Sequence, residues 1–170
     1  MKIFLPIVVL ALALTSCSST IYVVRHAEKE APSGTNTMMA NDPNLSAQGL
    51  QRANALADLL ARKKISAVYA TPYKRTQQTV QPTATAKALA VTTYPPKTGN
   101  QLIDSLAHKK DKSFLIVGHS NTVPSLLRHL GLKPSMQDIP ESDFSYLFTV
   151  RIKWFFGRKM RLEEKRYGGQ

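Results

Sequence analysis

A single cysteine, Cys17, stands among the 170 residues, so no internal disulfide can form. The four histidines, His26, His108, His119 and His129, include no pair four residues apart. With no second cysteine to join them, a zinc site fails on spacing, and neither metal nor cofactor is expected. No stretch reaches the roughly 20 apolar residues of a spanning helix, because the longest run, Ile3 to Leu14, is too short. Acidic groups are also scarce: 11 Asp and Glu oppose 23 Lys and Arg, a formal net charge of +12. There is no internal repeat and no low-complexity tract. What is present is the length of one ordinary domain, enough to bury a core without metal or disulfide staples.

The first residues have the charged start, short apolar middle and small-residue end of a secretory signal: Met1-Lys2, then Ile3 to Leu14, then Thr15-Ser16-Cys17. Leu14-Thr15-Ser16-Cys17 resembles the bacterial lipoprotein box. That resemblance implies a signal peptide over 1–17, a diacylated Cys17 that begins the mature chain, and a domain over 18–170. Two or more acyl chains anchor stably where one binds only marginally. Ser18 and Ser19, in place of aspartate, imply by the same likeness an outer-membrane lipoprotein of the cell envelope that faces the periplasm. Ser18 to Thr20 lead directly into the first strand, which would bring the catalytic edge near the lipid surface.

Part of the positive charge lies near the end, in Arg151, Lys153, Arg158, Lys159, Arg161, Lys165 and Arg166, interleaved with Trp154, Phe155 and Phe156. Such a stretch suits nucleic acid, anionic lipid or an acidic substrate. Its alternation also fits a plain hairpin, Tyr146 to Lys153 and Arg158 to Arg166, turning at Phe156-Gly157. No nucleic-acid motif accompanies it, so the structural reading is preferred and no nucleic-acid partner is expected.

Strand patterns over Ile21–Val24, Ile65–Tyr69, Val91–Tyr94 and Phe114–Val117 alternate with helical ones. That rhythm predicts an α/β fold, a three-layer α/β/α sandwich around a mainly parallel sheet. Ser46 caps the first helix, whose stripe is Leu50, Ala53, Ala57 and Leu60. Thr71 is placed to cap the second, with Pro72 at its first position and Arg75 in its first turn. A third covers Asn100 to His108, and a fourth runs from Asn121 to Leu130 and stops at Gly131. His108 and His129 then fall at helix C-termini, where a cation meets the negative end of the dipole, and stay outside the site. Glu30 to Asn44, with Pro32, Gly34 and Pro43, reads as a long irregular loop that either walls the pocket or is a surface excursion.

Two of the strands end in a histidine: Ile21-Tyr22-Val23-Val24-Arg25-His26 and Phe114-Leu115-Ile116-Val117-Gly118-His119. Between them, Tyr69-Ala70-Thr71-Pro72-Tyr73-Lys74-Arg75-Thr76 is a third strand end followed by an arginine. Two imidazoles and two guanidiniums at one sheet edge suit phosphoryl transfer, where the protein's task is mostly positioning and charge stabilisation. Arg25 and Arg75 offer planar forks that match phosphate oxygens and keep their charge.

Arg25-His26-Ala27-Glu28, Thr71 to Thr76 and Val117-Gly118-His119-Ser120 together resemble the histidine phosphatase superfamily (branch 1), the fold of phosphoglycerate mutase. Leu45-Ser46-Ala47-Gln48-Gly49 with Arg52-Ala53 is similar to that family's opening of its first helix. The resemblance implies a metal-independent phosphomonoester hydrolase working through a phosphohistidine. In it His26 is the nucleophile, and Arg25, Arg75 and His119 hold the phosphate. Attack requires a neutral imidazole whose second nitrogen is held by a hydrogen bond. The implied partners are a small phosphate ester or phosphoprotein substrate and, through Cys17, a membrane; oligomeric state stays open.

One feature of the family is missing. A glutamate that protonates the leaving group belongs about 25 to 30 residues after the second arginine, acting as general acid. Here Lys97 to Asp104 contains none. Asp104, which equally fits an exposed helix position, and Glu28 are the carboxyl candidates. Lack of a strong acid would favour good leaving groups such as phosphohistidine or acyl phosphate. It also supports an alternative, a catalytically weak, lipid-anchored phosphate-ester-binding protein. A mutase is disfavoured because no bisphosphoglycerate-holding segment is visible. Gly118-His119-Ser120-Asn121-Thr122 nearly spells a serine-hydrolase elbow, but its last position fails and no acid lies between Ser120 and His129.

Overall fold

The structure, a computed structural model, describes residues 18–31, 42–154 and 157–169. Cys17 and the apolar leader lie outside them, as do most of the expected 30–44 loop and the Phe155-Phe156 tip of the hairpin. Six strands, β1 (Ser18–Arg25), β2 (Ala67–Ala70), β3 (Val91–Thr93), β4 (Ser113–Gly118), β5 (Tyr146–Trp154) and β6 (Arg158–Arg166), form one sheet in the order β3-β2-β4-β1-β5-β6. β1 to β4 pair in parallel, while β5 runs antiparallel to β1 and carries β6 as its hairpin partner. Helices α1 (Ala47–Leu60), α2 (Lys74–Ala86) and α3 (Gly99–Ala107) connect the parallel strands, and α4 (Thr122–His129) leads from β4 toward the antiparallel β5. Among the described residues no helix is long and apolar enough to cross a membrane.

The Ile21–Val24 stretch of β1 and the Phe114–Val117 stretch of β4 are apolar throughout because helices cover both faces of the sheet there. Ile21, Val23 and Ile116 pack with α3 and α4. Tyr22, Val24, Leu115 and Val117 pack on the other face with Leu56 and Leu60 of α1 and Val80 and Ala84 of α2. This is the three-layer α/β/α sandwich, with the hairpin extending one side.

Register decides where the chemistry collects. Arg25 lies opposite Gly118, and Ala70 opposite Val117, so His26, Thr71 and His119 all follow strand ends at one edge. Ligands of open α/β sheets bind at this carboxyl edge. Ser18 lies opposite Lys153 at the other end of β1, roughly 23 Å away at 3.3 Å per residue. The first strand carries the chain across the whole sheet before reaching His26, so the His26 edge lies at the opposite end of the sheet from Ser18.

Two local expectations are also corrected. The buried stripe of α1 is Gly49, Arg52, Ala53, Leu56 and Leu60, while Leu50 is half exposed. Gly49 approaches the backbone of Glu28 so closely that a Cβ would lie 2.1 Å from the Glu28 carbonyl oxygen. That contact turns the Gly49 side of the helix inward and Leu50 outward. α2 begins at Lys74 with Tyr73, not Thr71, as its N-cap, because the Thr71 hydroxyl is engaged elsewhere. Ser46 does cap α1, its Oγ accepting from Gly49 N–H at 3.1 Å.

Replacing Gly49 by alanine is expected to cost about 1–3 kcal/mol through overpacking against backbone. Urea unfolding of wild type and Gly49→Ala measures it; an unchanged midpoint would show the approach to Glu28 to be looser than described.

Candidate active site

His26 leaves β1 with its backbone N–H on the Gly118 carbonyl at 2.9 Å. The next residue, Ala27, donates its N–H to Thr79 Oγ1 of α2 at 2.9 Å, and Glu28 accepts from Ser46 N–H at the start of α1 at 2.9 Å. The turn is thus clipped between two helices. Inside it, His26 Nδ1 lies 2.8 Å from the Ala27 carbonyl oxygen. A carbonyl only accepts, so Nδ1 carries the proton and Nε2 keeps its lone pair.

The His119 ring stands 5.5 Å from the His26 ring, edge to face. Gly118 permits this approach: a Cβ there would meet Thr122 Oγ1 at 3.0 Å and Val123 Cγ2 at 3.1 Å. Thr122 Oγ1 in turn accepts from His119 N–H at 2.9 Å. His119 Nε2 lies 3.0 Å from Thr71 Oγ1, which lies 2.8 Å from Thr76 Oγ1. The Thr76 hydroxyl also touches the carbonyls of Thr71 and Tyr73. Its single proton goes to a carbonyl, so Thr71 donates to Thr76 and accepts from His119 Nε2–H. The Nδ1 of His119 is then left for a ligand.

Burial lowers the pKa of His26 to about 3, with the charges of Arg25 and Arg75 and the His119 ring adding to it against the opposing hydrogen bond to Ala27. Burial likewise lowers His119 to about 4, reinforced by Arg75 and Arg25. Both rings are neutral at neutral pH, as a nitrogen nucleophile requires.

Arg25 is almost fully buried. Its Nη1 donates to the carbonyls of Pro140, Glu141 and Asp143 at 2.7, 3.2 and 3.2 Å, and its guanidinium lies 4.2 Å from the centre of the Phe144 ring. The opposite edge of the fork is different. Nε has no partner, and Nη2 holds only the exposed carboxylate of Glu141, at 2.8 Å. A phosphoryl group that displaced that carboxylate would meet two parallel N–H donors. Arg75 stacks on the Tyr73 ring at 4.5 Å and faces Asp42 at 3.7 Å. Tyr73 also packs edge to face on His119 at 5.3 Å, so Arg75, Tyr73 and His119 form one wall.

The four phosphate-handling residues expected from sequence are therefore brought together, and the two carboxyl candidates are not. Glu28 accepts twice from Arg52 Nε, at 2.8 and 2.9 Å, and lines a separate cavity of about 320 Å³ with Arg52, Asp143 and Arg166. Asp104 bonds His129 Nε2 at 2.6 Å. His129 ends α4, roughly 10 Å along the helix from its start beside His119, so Asp104 faces the far end of the domain. The carboxylate at the site is Glu141, held below the usual range chiefly by the Ser120 hydroxyl, against some burial, and by Arg25. Phe144, 5.9 Å from the His26 ring, is the other unforeseen member. Both lie in an irregular segment with no periodicity, and only the dense Pro140-Glu141-Ser142-Asp143 loop chemistry hinted at them. Ser120 gives its Oγ–H to Glu141 at 2.8 Å and bonds no histidine, which removes the serine-nucleophile geometry. Among the described residues no three His, Cys, Asp or Glu side chains stand close enough to share an ion.

Comparison with known proteins agrees with this arrangement. Residues 21–96 match the model of the histidine phosphatase superfamily (branch 1). An uncharacterized protein of Mycobacterium tuberculosis, Rv0525, is 43% identical over 75 residues, 44% of this chain and 37% of that one. Phosphoserine phosphatase 1 of Hydrogenobacter thermophilus is 38% identical over 71 residues, 42% of this chain and 34% of that one. The matched stretch thus spans little more than a third of either relative. The fold is shared more widely. The protein histidine phosphatase SixA, solved with tungstate, superposes with a TM-score of 0.64 at 16% identity, covering 86% of this chain and 96% of its own. The mycobacterial glucosyl-3-phosphoglycerate phosphatase Rv2419c gives 0.63 at 14% identity, covering 86% and 97%.

Nitrogen-15 correlation spectra are expected to show His26 neutral and protonated on Nδ1 above about pH 5. In the unfolded chain both imidazoles return to about 6.5, so that state takes up more protons as the pH falls. Stability should accordingly be complete above about pH 6.5 and decline toward the folded-state values near 3 and 4. A His26 that titrates near 6.5 in the folded protein would contradict the burial described.

Proposed function

We propose that this chain, whose residues 21–96 carry a histidine phosphatase superfamily (branch 1) domain, hydrolyses phosphate monoesters through a phosphohistidine formed on His26. One observation carries the reading: the hydrogen bond from Nδ1 to Ala27 leaves Nε2 as the free lone pair of a neutral ring beside two guanidiniums and a second imidazole.

In this mechanism Nε2 attacks phosphorus while the ester P–O bond breaks, and the leaving oxygen takes a proton. Water then attacks phosphorus, the N–P bond breaks, and phosphate leaves with Nε2 restored. Arg25, through its Nε and Nη2 edge, and Arg75 stabilise the equatorial oxygens. His119, facing an arriving dianion, gains a proton and donates from Nδ1. Glu141 is the proton donor. In the free protein its carboxylate is paired with Arg25. A phosphoryl group on Nη2 takes that partner away and sets negative charge alongside, and both effects raise the carboxyl pKa. Glu141 thus arms as an acid when substrate binds and serves as base for the water in the second half.

A phosphoserine phosphatase among the relatives and a protein histidine phosphatase among the proteins of like fold support small phosphate esters or phosphoproteins as the substrate class. The leader and Cys17 support a lipid-anchored place in the cell envelope on the outer membrane, facing the periplasm, a reading that rests on sequence alone.

Steady-state hydrolysis of p-nitrophenyl phosphate and of an alkyl phosphate tests the assignments. His26→Ala should abolish both, and Arg75→Ala should lower both by about 10²–10³, the scale of one lost charge-stabilising donor. Glu141→Gln should lower the alkyl ester by about 10²–10⁴ and the nitrophenyl ester far less, because only the poor leaving group needs an acid. Equal losses on the two esters would remove Glu141 from that role, and turnover surviving in His26→Ala would remove the phosphohistidine.

A further inference from the structure

Nine of the 23 lysines and arginines of this chain are gathered by the fold at the sheet edge opposite the candidate active site. Three separate segments deliver them. Arg62, Lys63 and Lys64 follow the last turn of α1, and Lys109, Lys110 and Lys112 lie in the turn before β4. Lys153, Arg158 and Lys159 form the outer end of the hairpin. Ser18 N–H on Asp111, Thr20 N–H on the Lys112 carbonyl and the pairing of Ser18 with Lys153 bring the second and third segments to the start of β1. Ser66 N–H on the Ser113 carbonyl brings the first beside them.

All nine side chains are exposed, and among the described residues none enters a salt bridge. Asp111 is the one acid inside these segments; the acids nearest them along the chain are Asp58 in the last turn of α1, Asp104 of α3, which is paired with His129, and Glu163 of the hairpin, which is paired with Arg151 and Lys165. Lys153 and Lys159 stand directly opposite each other across the hairpin, an arrangement that destabilises a sheet. A solvated face would alternate signs, as Glu163 does between Arg151 and Lys165 farther along the same hairpin. An edge of one sign, kept at a cost to the sheet, fits an anionic surface.

The same edge is where Ser18 enters the sheet, and the apolar run Ile3 to Leu14 precedes it in sequence. We propose that this basic edge docks on the anionic headgroups of a lipid bilayer, holding the protein upright with the His26 edge turned roughly 20 Å or more away from the membrane. This goes beyond the phosphatase reading and does not depend on it. Docking by charge also does not require acylation of Cys17, because each cation near an anionic bilayer contributes independently. A lipid tether alone would leave the domain free to rotate, whereas nine cations around the point of entry select one orientation.

The test uses the full chain and sedimentation with vesicles of phosphatidylcholine, alone or with about one-third phosphatidylglycerol. Any partition of the apolar run is common to both vesicle types and to every variant, so the ratio between vesicle types isolates the charge contribution. Wild type should prefer the phosphatidylglycerol vesicles strongly, and the preference should fall as salt rises. The triple variant Lys63→Gln, Lys110→Gln, Lys159→Gln should lose about a hundredfold of that preference, roughly fivefold per cation, with ester hydrolysis unchanged. Lys159→Gln alone should not lower the melting temperature, since it relieves the pair with Lys153. Equal binding to both vesicle types, or a triple variant that binds like wild type, would overturn the proposal. So would a single-stranded RNA oligonucleotide that binds the edge and is lost in the triple variant while vesicle binding persists.

Discussion

The hydrogen bond between His26 Nδ1 and the Ala27 carbonyl is the contact on which the rest of the site depends. It links a residue to its immediate neighbour, so it cannot be altered without moving the turn. The turn is tied to β4 through Gly118, to α2 through Thr79 and to α1 through Ser46. Two of these ties need a glycine: Gly49, where α1 touches the Glu28 backbone, and Gly118, where His119 leaves the sheet. A ring buried this way without a positioned tautomer would be an inert core histidine. Here the same burial that keeps it neutral also leaves one nitrogen lone pair directed away from the backbone.

Arg25 shows how the second half of the site is assembled. A buried guanidinium costs several kcal/mol to desolvate unless its donors are satisfied. The carbonyls of Pro140, Glu141 and Asp143 take one nitrogen, and the Phe144 ring covers a face. The loop is therefore organised around the arginine as much as the arginine is held by the loop. What stays unpaired is the buried Nε, beside an Nη2 that holds the Glu141 carboxylate. A second buried arginine, Arg52, ties Glu28 to the carbonyl of Tyr167 and so fixes the C-terminal segment to α1. The two arginines divide the labour: one faces the site, the other closes the structure behind it.

The elements most legible in the sequence were those whose signal is local. Continuous apolar runs gave away β1 and β4, the Ser46 cap marked the start of α1, and alternation around Gly157 marked the hairpin. Arg25, His26, Arg75 and His119, the four residues expected to handle phosphate, were legible because each sits at a fixed offset from a strand end or in a first helical turn. What escaped was long-range. Thr71 looks like a cap, and only the fold shows that its hydroxyl is already committed to Thr76 and His119. Leu50 looks like a core position until Gly49 is seen against the Glu28 backbone. Asp104 and Glu28 each have a better partner, His129 and Arg52, that lies 24 or more residues away. Glu141 reaches the site across more than a hundred residues from Arg25, and no spacing rule predicts that.

The cluster of His26, His119, Arg25 and Arg75 at one end of the sheet and the nine exposed cations at the other give the molecule a direction. The claim on which the account turns is nevertheless chemical: a phosphoryl group passes through His26. Rapid alkaline quenching of the protein after mixing with a phosphate ester, followed by peptide mass spectrometry, reads it directly. The account predicts one acid-labile phosphate on the peptide containing His26, absent from the Ala variant and lost on standing with water. Label on any other residue, or none at a time when product is accumulating in a burst, would contradict it.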